Sequence, residues 1–109
     1  MKTYKVTIEL VLINEPKLPL EAMRYIVGRL VNHNDVTSKV TVTEGVSIMK
    51  GDADHNCFVI TSVMDASNMS MQYFFQRLHA LVAELRSTFP HGSEITGTWQ
   101  EVDTLEFPA

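Results

Sequence analysis

The sequence predicts an α+β fold in which two helices cover one face of a four-stranded antiparallel sheet. Segments with apolar residues at period two alternate with segments of helical apolar spacing, in the order βαββαβ. The chain has 109 residues, of which 45% are hydrophobic. A chain of this length and composition forms one domain with its own core. We therefore expect residues 1–109 to be a single domain.

The first strand and the first helix have the clearest patterns. Strict alternation predicts a strand over about Thr3 to Ile13, with polar residues between its apolar positions Tyr4, Val6, Ile8, Leu10 and Leu12. Two prolines in Asn14–Pro19 end regular pairing. Leu20 to Asn32 then carries apolar residues at helical spacing, which predicts an amphipathic helix.

The middle of the chain predicts two further strands. Val36 to Lys50 is predicted to be one long strand, because its apolar residues keep to even positions on both sides of Gly45. A turn at Glu44–Gly45 that divides this strand is the alternative. Gly51–Asn56 has the composition of a hairpin loop, and Cys57 to Met64 is apolar on both faces, as in a central strand.

The second helix and the last strand complete the pattern. Asp65 or Ser67 is predicted to cap a helix that runs to about Thr88. Its apolar stripe consists of Met71, Phe74, Phe75, Leu78, Leu81, Val82, Leu85 and Phe89. The final strand is predicted from about Glu94 to Thr104, with a bulge near Gln100 where the apolar register changes.

Right-handed crossovers between these elements give the ferredoxin-like βαββαβ sandwich. Its expected strand order is four-one-three-two, with the first and third strands at the centre. The fourth strand then lies at an edge. It carries an acidic strip, because Glu94, Glu101, Asp103 and Glu106 have no Lys or Arg among them.

Charge and cysteine content limit the classes of function. The net charge is −4 and no basic cluster is visible, which disfavours direct nucleic-acid binding. No apolar run is long enough to span a membrane, and the N-terminus enters a strand directly, without a secretory leader. The single cysteine excludes an intramolecular disulfide. These observations predict a cytoplasmic protein that binds neither nucleic acid nor membrane.

Two groups of residues carry chemistry-bearing side chains without a recognisable site motif. The expected topology brings loops with Glu15, Asp52, Asp54, His55 and His91 to one end of the sheet, but the group lacks the pattern of a calcium loop or a dense metal site. Cys57 shares a strand face with His55, and no third orienting group is evident. We therefore predict no catalytic residue, no metal and no cofactor.

The exposed sheet face differs from that of RNA-recognition domains, which share this topology. Its first-strand positions are Lys5, Thr7, Glu9 and Val11, and none of them is aromatic. From the third strand the face receives either Cys57, Val59 and Val63 or Phe58, Ile60 and Met64. A threonine-rich face with an apolar centre predicts a homodimer, and a solvated monomeric face is the alternative.

Partner-binding residues are predicted on the helices and on the last strand. Helical projection places Tyr25 with Arg29, and Tyr73 with Arg77, on outward surfaces. Glu101 and Asp103 form the acidic edge.

The sequence thus favours a non-enzymatic protein–protein interaction module, such as a phage-type, viral inhibitor or adaptor that acts on a basic, nucleic-acid-handling host protein. The alternative is a small dimeric ferredoxin-like enzyme or small-ligand-binding domain. A third reading is a subunit that extends a neighbour's sheet through an edge strand.

Overall fold

The four strands form one antiparallel sheet in the order β2-β3-β1-β4. The computed structural model describes residues 2–36, 38–48, 54–65, 70–103, 105 and 107–108. Its elements are β1 (Lys2–Leu12), α1 (Leu20–His33), β2 (Lys39–Ile48), β3 (Asp54–Asp65), α2 (Met71–Thr88) and β4 (Ser93–Asp103). The predicted ferredoxin-like fold, its strand order and its central strands are therefore confirmed.

The central strand β1 divides the sheet into two different faces. It pairs with β3 from Thr3 to Leu12 and with β4 from Lys2 to Leu12, and both registers run without interruption. Side chains of successive strand residues point to opposite faces. Even-numbered residues of β1 and β3 therefore meet the helices, while odd-numbered residues, including Cys57, form the open face.

The core lies between the helices and the even face of the sheet. Its strand residues are Val6, Ile8, Leu10, Leu12, Val42, Phe58, Ile60 and Met64, and its helical residues are Met23, Val27, Phe74, Leu78, Leu81 and Leu85. These helical positions follow the spacing of an amphipathic stripe, which confirms the predicted faces of both helices. Each large side chain buried in this way contributes about 1.5–3 kcal/mol.

Local interactions set the ends of the two helices. The hydroxyl of Ser70 accepts a hydrogen bond from the amide of Tyr73, so Ser70 caps α2. The predicted caps were wrong: Asp65 is the last residue of β3, and Ser67 lies outside the described residues. After α1, Asp35 adopts a φ of 54°, a left-handed conformation that turns the chain toward β2.

The hairpin between β2 and β3 begins and ends elsewhere than the sequence suggests. The strand β2 is continuous through Gly45, which pairs with Cys57, so a dividing turn at Glu44–Gly45 is absent. The strand β3 begins at Asp54, and His55 and Asn56 therefore belong to a strand and not to a loop. The side-chain oxygen of Asn56 accepts a hydrogen bond from the Leu18 amide, which ties this strand to the segment before α1. Residues 49–53 lie outside the described residues.

The last strand has no bulge near Gln100, contrary to the prediction. The pairing of β4 with β1 keeps one register from Ser93 to Asp103. The apparent change of register has another cause: Trp99 pairs with Val6 and lies on the helix side, whereas Val102 pairs with Thr3 and lies on the open face. Apolar residues on both faces of one regular strand produced the misleading pattern.

The cap at Ser70 gives a test of the helix boundary. We expect Ser70→Ala to lower the free energy of unfolding by about 1 kcal/mol, because the amide of Tyr73 loses its acceptor. Ser87→Ala is the matched control near the other end of α2. Its hydroxyl donates a hydrogen bond to the carbonyl of Ala83 and does not cap the helix. Urea unfolding followed by circular dichroism measures both variants. An equal loss in the two variants would contradict the assignment.

Candidate functional site

The loop after β1 and the turn before β4 meet at one end of the sheet, where the amides of Ile13 and Asn14 donate hydrogen bonds to the carbonyl of Gly92, while residues 49–53 of the third loop lie outside the described residues. Leu12 pairs with both Asn56 and Ser93, which brings the ends of three strands to one place. The carboxylate of Glu15 accepts a hydrogen bond from the backbone amide of His91 at 2.7 Å. Glu15 thus stabilises a turn through a hydrogen bond to the main chain, and this contact does not involve the His91 ring.

The described residues contain no group of three His, Cys, Asp or Glu side chains placed to hold a metal ion. Of the loop-end residues named from the sequence, Asp52 lies outside the described part of the chain. Within the same described part, no helix has the length and apolarity needed to cross a membrane.

Cys57 is a buried thiol on the open face, directly opposite Val11. Its Sγ contacts the Glu9 carboxylate at 4.0 Å as a weak donor. Burial, and secondly the negative charge of Glu9, raise the pKa of the Cys57 thiol. His55 lies two residues away on the same strand, and its buried Nε2 has no hydrogen-bond partner among the described residues. The surroundings of Cys57 therefore oppose formation of a thiolate nucleophile.

The open face carries a row of four threonines that crosses the whole sheet. Thr7 of β1 pairs with Thr61 of β3 on one side and with Thr98 of β4 on the other, and Thr61 pairs with Thr41 of β2. We call these four residues the threonine row. The structure resolves which β3 residues join this face: they are Cys57, Val59 and Val63.

Charged residues flank the threonine row on opposite sides. The row before it contains Lys39, Val63, Lys5 and Gln100, and the row after it contains Thr43, Val59, Glu9 and Thr96. On β1, Lys5 and Glu9 are therefore each two residues from Thr7. One side of the open face is thus basic at its centre and the other is acidic.

Each predicted Tyr/Arg pair forms a contact within its own helix. The guanidinium of Arg29 lies 5.9 Å from the ring centroid of Tyr25 on α1, and that of Arg77 lies 4.7 Å from the ring of Tyr73 on α2. Tyr25 is 68% exposed. Tyr73 and Arg77 are both half-buried, and the Nε of Arg77 is fully buried. The second pair is therefore less exposed to solvent than the helical projection predicted.

The acidic residues Glu101 and Asp103 are exposed near the end of the edge strand β4. Glu101 pairs with Tyr4 and Asp103 with Lys2, which places both on the helix side of the sheet. The fourth-strand residue Glu94 pairs with Val11 and lies on the open face instead. Glu106 lies outside the described residues, and the other three residues of the predicted acidic strip are divided between the two faces.

A groove between α2 and β4 is the feature that sequence reasoning missed. It has a volume of about 550 Å³. Core residues Val6 and Ile8 form part of its surface, and its other lining residues are Phe75, Leu78, His79, Val82, Ala83, Arg86, Ile95, Gly97, Thr98 and Trp99. Trp99 is 53% exposed and contacts Phe75 edge-on, with ring centroids 5.6 Å apart. The groove combines an apolar interior with an accessible indole ring.

A signal for this groove is present in the sequence. The alternation of β4 places Ile95, Gly97 and Trp99 on one face, and the regular register puts that face toward the helices. Gly97 pairs with Ile8 and leaves a gap where another residue would add a side chain. The assumed bulge at Gln100 concealed this continuity.

The chain is similar in fold to small ferredoxin-like and PII-like proteins. No family model matches it, and no curated protein matches it. A phage SAM lyase superposes with a TM-score of 0.61 at 16% identity, covering 96% of this chain and 92% of that chain. A phage SAM lyase in complex with S-methyl-5′-thioadenosine gives a TM-score of 0.60 at 16% identity, covering 94% of this chain and 90% of that chain.

Two further solved structures extend the likeness. CutA from Synechococcus elongatus, complexed with Bis-Tris, has a TM-score of 0.58 at 12% identity and covers 94% of this chain and 86% of its own. CPII, a nitrogen regulatory PII-like protein from Thiomonas intermedia bound to ADP, AMP and bicarbonate, has a TM-score of 0.52 at 11% identity, with 97% and 98% covered. At these identities the likeness shows the fold alone.

The raised pKa of Cys57 predicts slow alkylation. At about pH 8 we expect iodoacetamide to label the folded protein more slowly than the unfolded chain, because the thiol keeps its proton until a higher pH than a free cysteine does. Glu9→Gln removes one of the two causes and should speed labelling by roughly two- to tenfold.

Glu94→Gln is the matched control, since Glu94 lies on the same face but does not contact the thiol. Mass spectrometry measures the rates. Labelling of the folded wild type as fast as that of the unfolded chain would show an activated cysteine and overturn this account.

Proposed function

We propose that the chain is a homodimeric protein-binding module in which a second copy covers the open sheet face. The observation that supports the dimer is the placement of Lys5 and Glu9 on opposite sides of the threonine row. In a two-fold dimer the same surface patch serves both copies, so the patch must complement itself.

A two-fold axis along the threonine row satisfies this requirement. Rotation about that axis places each strand of one protomer over the same strand of the other protomer. It also places the row that precedes the threonines over the row that follows them. Lys5 of one copy then faces Glu9 of the other, and the symmetry forms this pair twice. The row of four threonines faces itself, while Val59 and Val63 supply the apolar centre.

The size of the face is compatible with a stable dimer. Strands lie about 4.8 Å apart and successive residues of one face about 6.7 Å apart, so a face of this size covers about 600 Å². Two such faces bury about 1,200 Å² together, which is the lower end of specific interfaces. A dimer of this kind leaves both helices of each copy accessible to a partner.

Charge reversal tests the proposed dimer. Lys5→Glu places Glu opposite Glu9 at both symmetric positions, and Glu9→Lys places Lys opposite Lys5; we expect each to raise the dimer dissociation constant at least about tenfold. The double variant Lys5→Glu/Glu9→Lys restores opposite charges and should restore the dimer. Light scattering over a concentration series measures the mass.

Lys17→Glu is the control for change in net charge, because Lys17 is exposed in the loop between β1 and α1. A wild type that remains monomeric at high concentration would contradict the proposal, and so would a double variant that dimerises no better than the single variants.

The partner proposed for this module is a basic protein, and the action an inhibitor or adaptor role of the phage type. Tyr25 is the accessible anchor on α1, with its ring held beside Arg29. Glu101 and Asp103 add negative charge on the helix side of the edge strand. Such a surface combines an aromatic anchor with charges that complement a basic protein.

Partner binding is expected to depend on salt and on these residues. In affinity capture from native-source lysate, we expect one specific basic protein to be retained at low salt and lost at high salt. Tyr25→Ala and Glu101→Lys/Asp103→Lys should each lower its recovery at least about fivefold, whereas Asn32→Ala, an exposed change on the same helix, should not. Recovery that is insensitive to salt and to both variants would contradict the proposal.

A second candidate function is a small-ligand-binding domain or enzyme, and the groove between α2 and β4 favours it. A volume of about 550 Å³ with a mostly apolar lining is typical of small-molecule sites. The phage SAM lyase and the PII-like protein, whose structures contain S-methyl-5′-thioadenosine or ADP and AMP, have the same fold. On fold analogy they support a ligand role for this chain.

A further inference from the structure

We infer that the groove between α2 and β4 binds a planar aromatic molecule that carries an anionic group. This inference rests on the second candidate function and names its class of ligand. Three features of the groove support it: an exposed indole ring, a basic rim and a gap at a glycine.

The indole of Trp99 provides a stacking surface. Its contacts with Phe75 and with Tyr4 are both edge-type, at interplanar angles of 65° and 79°. These two rings hold the indole in place while 53% of the side chain remains exposed. A large aromatic residue exposed to this extent beside an apolar groove favours contact with another flat ring, since offset stacking adds to the gain from burial.

The ionisable residues that line the groove favour an anion. Among the described residues that line it, the ionisable side chains are His79 and Arg86, both exposed on α2. The chain as a whole has a net charge of −4, so this basic rim departs from the average surface. An Arg guanidinium at the mouth of an apolar groove is suited to a phosphate or carboxylate, which it can bind with two parallel hydrogen bonds.

Gly97 creates the space in which a flat ring would lie. It forms the wall beside Ile8, and a Cβ built on it would meet only the Thr7 carbonyl oxygen, at 3.9 Å. The Cβ of a larger side chain at this position would therefore be in ordinary van der Waals contact with the backbone, and the side chain would extend into the groove. This makes Gly97→Val a variant that fills the site and leaves the strand intact, because valine suits a strand better than glycine does.

The test uses the only tryptophan of the chain as its reporter. Titration with 5′-AMP, which joins a planar purine to a phosphate, is expected to quench Trp99 fluorescence with saturation. Adenosine, which lacks the phosphate, should bind about tenfold more weakly, and inorganic phosphate alone should not quench. Light scattering on the same samples records the oligomeric state.

Variants then assign the site. Arg86→Gln should lower AMP affinity about tenfold and leave adenosine affinity unchanged, since only the anionic contact is lost. Gly97→Val should abolish binding of both AMP and adenosine, and its far-UV circular dichroism spectrum should match that of the wild type. Gly45→Val is the matched control, a strand glycine on the open face with nothing within 4 Å of its added Cβ, and it should bind like the wild type.

The outcomes separate the class of ligand from the ligand-binding function itself. Equal affinities for adenosine and AMP that Gly97→Val abolishes would overturn the anionic class while leaving the groove as a ligand site. Binding that Gly97→Val does not change, or a wild type that binds neither probe up to millimolar concentration, would overturn the inference. Neither result would alter the charge-reversal test of the dimer, because neither Lys5 nor Glu9 lines the groove.

Discussion

The pairing of β1 on both sides, in one unbroken register, is the constraint on which the rest of this structure depends. Ten residue pairs join it to β3 and eleven join it to β4. Because side chains alternate between faces, this register sends Ile8 and Leu10 into the core and sends Lys5, Thr7 and Glu9 to the open face. A slip by one residue would exchange the two sets, which would expose the core and bury charge.

The same constraint produces both candidate surfaces. On the open face it aligns four threonines in one row and places opposite charges at equal distances from that row, which is what a two-fold interface needs. On the helix side it turns Gly97 and Trp99 toward α2 at the edge of the core. The two surfaces lie on opposite faces of the sheet and share one residue, Thr98 on the edge strand, so one copy can pair with another and still hold a ligand or partner.

Much of the fold follows from the sequence because alternation and helical spacing are local patterns, and these predicted the element order and the strand order. Two local predictions failed where strand pairing decided the outcome: the start of β3 at Asp54 and the regular register through Gln100. The predicted cap failed for a local reason, because Asp65 still pairs with Thr3 in β3 and the Ser70 hydroxyl accepts the hydrogen bond from the Tyr73 amide.

The groove was missed for two reasons: the assumed bulge at Gln100 concealed the alternation of Ile95, Gly97 and Trp99, and no single segment encodes the separation of α2 from β4. The spacing of Tyr25 and Arg29 did predict their shared surface, since residues four apart on a helix are neighbours.

The measurement that tests the central claim most directly is chemical cross-linking of Thr7→Cys in a Cys57→Ser background, with a bismaleimide spanning about 10 Å, the spacing of packed sheets. Thr7 lies within the threonine row, so the account predicts an efficient covalent dimer of Thr7→Cys and none of Asn32→Cys, whose position on α1 lies on the opposite side of the sheet. Failure of Thr7→Cys to cross-link, or equal cross-linking of the two variants, would contradict a dimer formed through the open face.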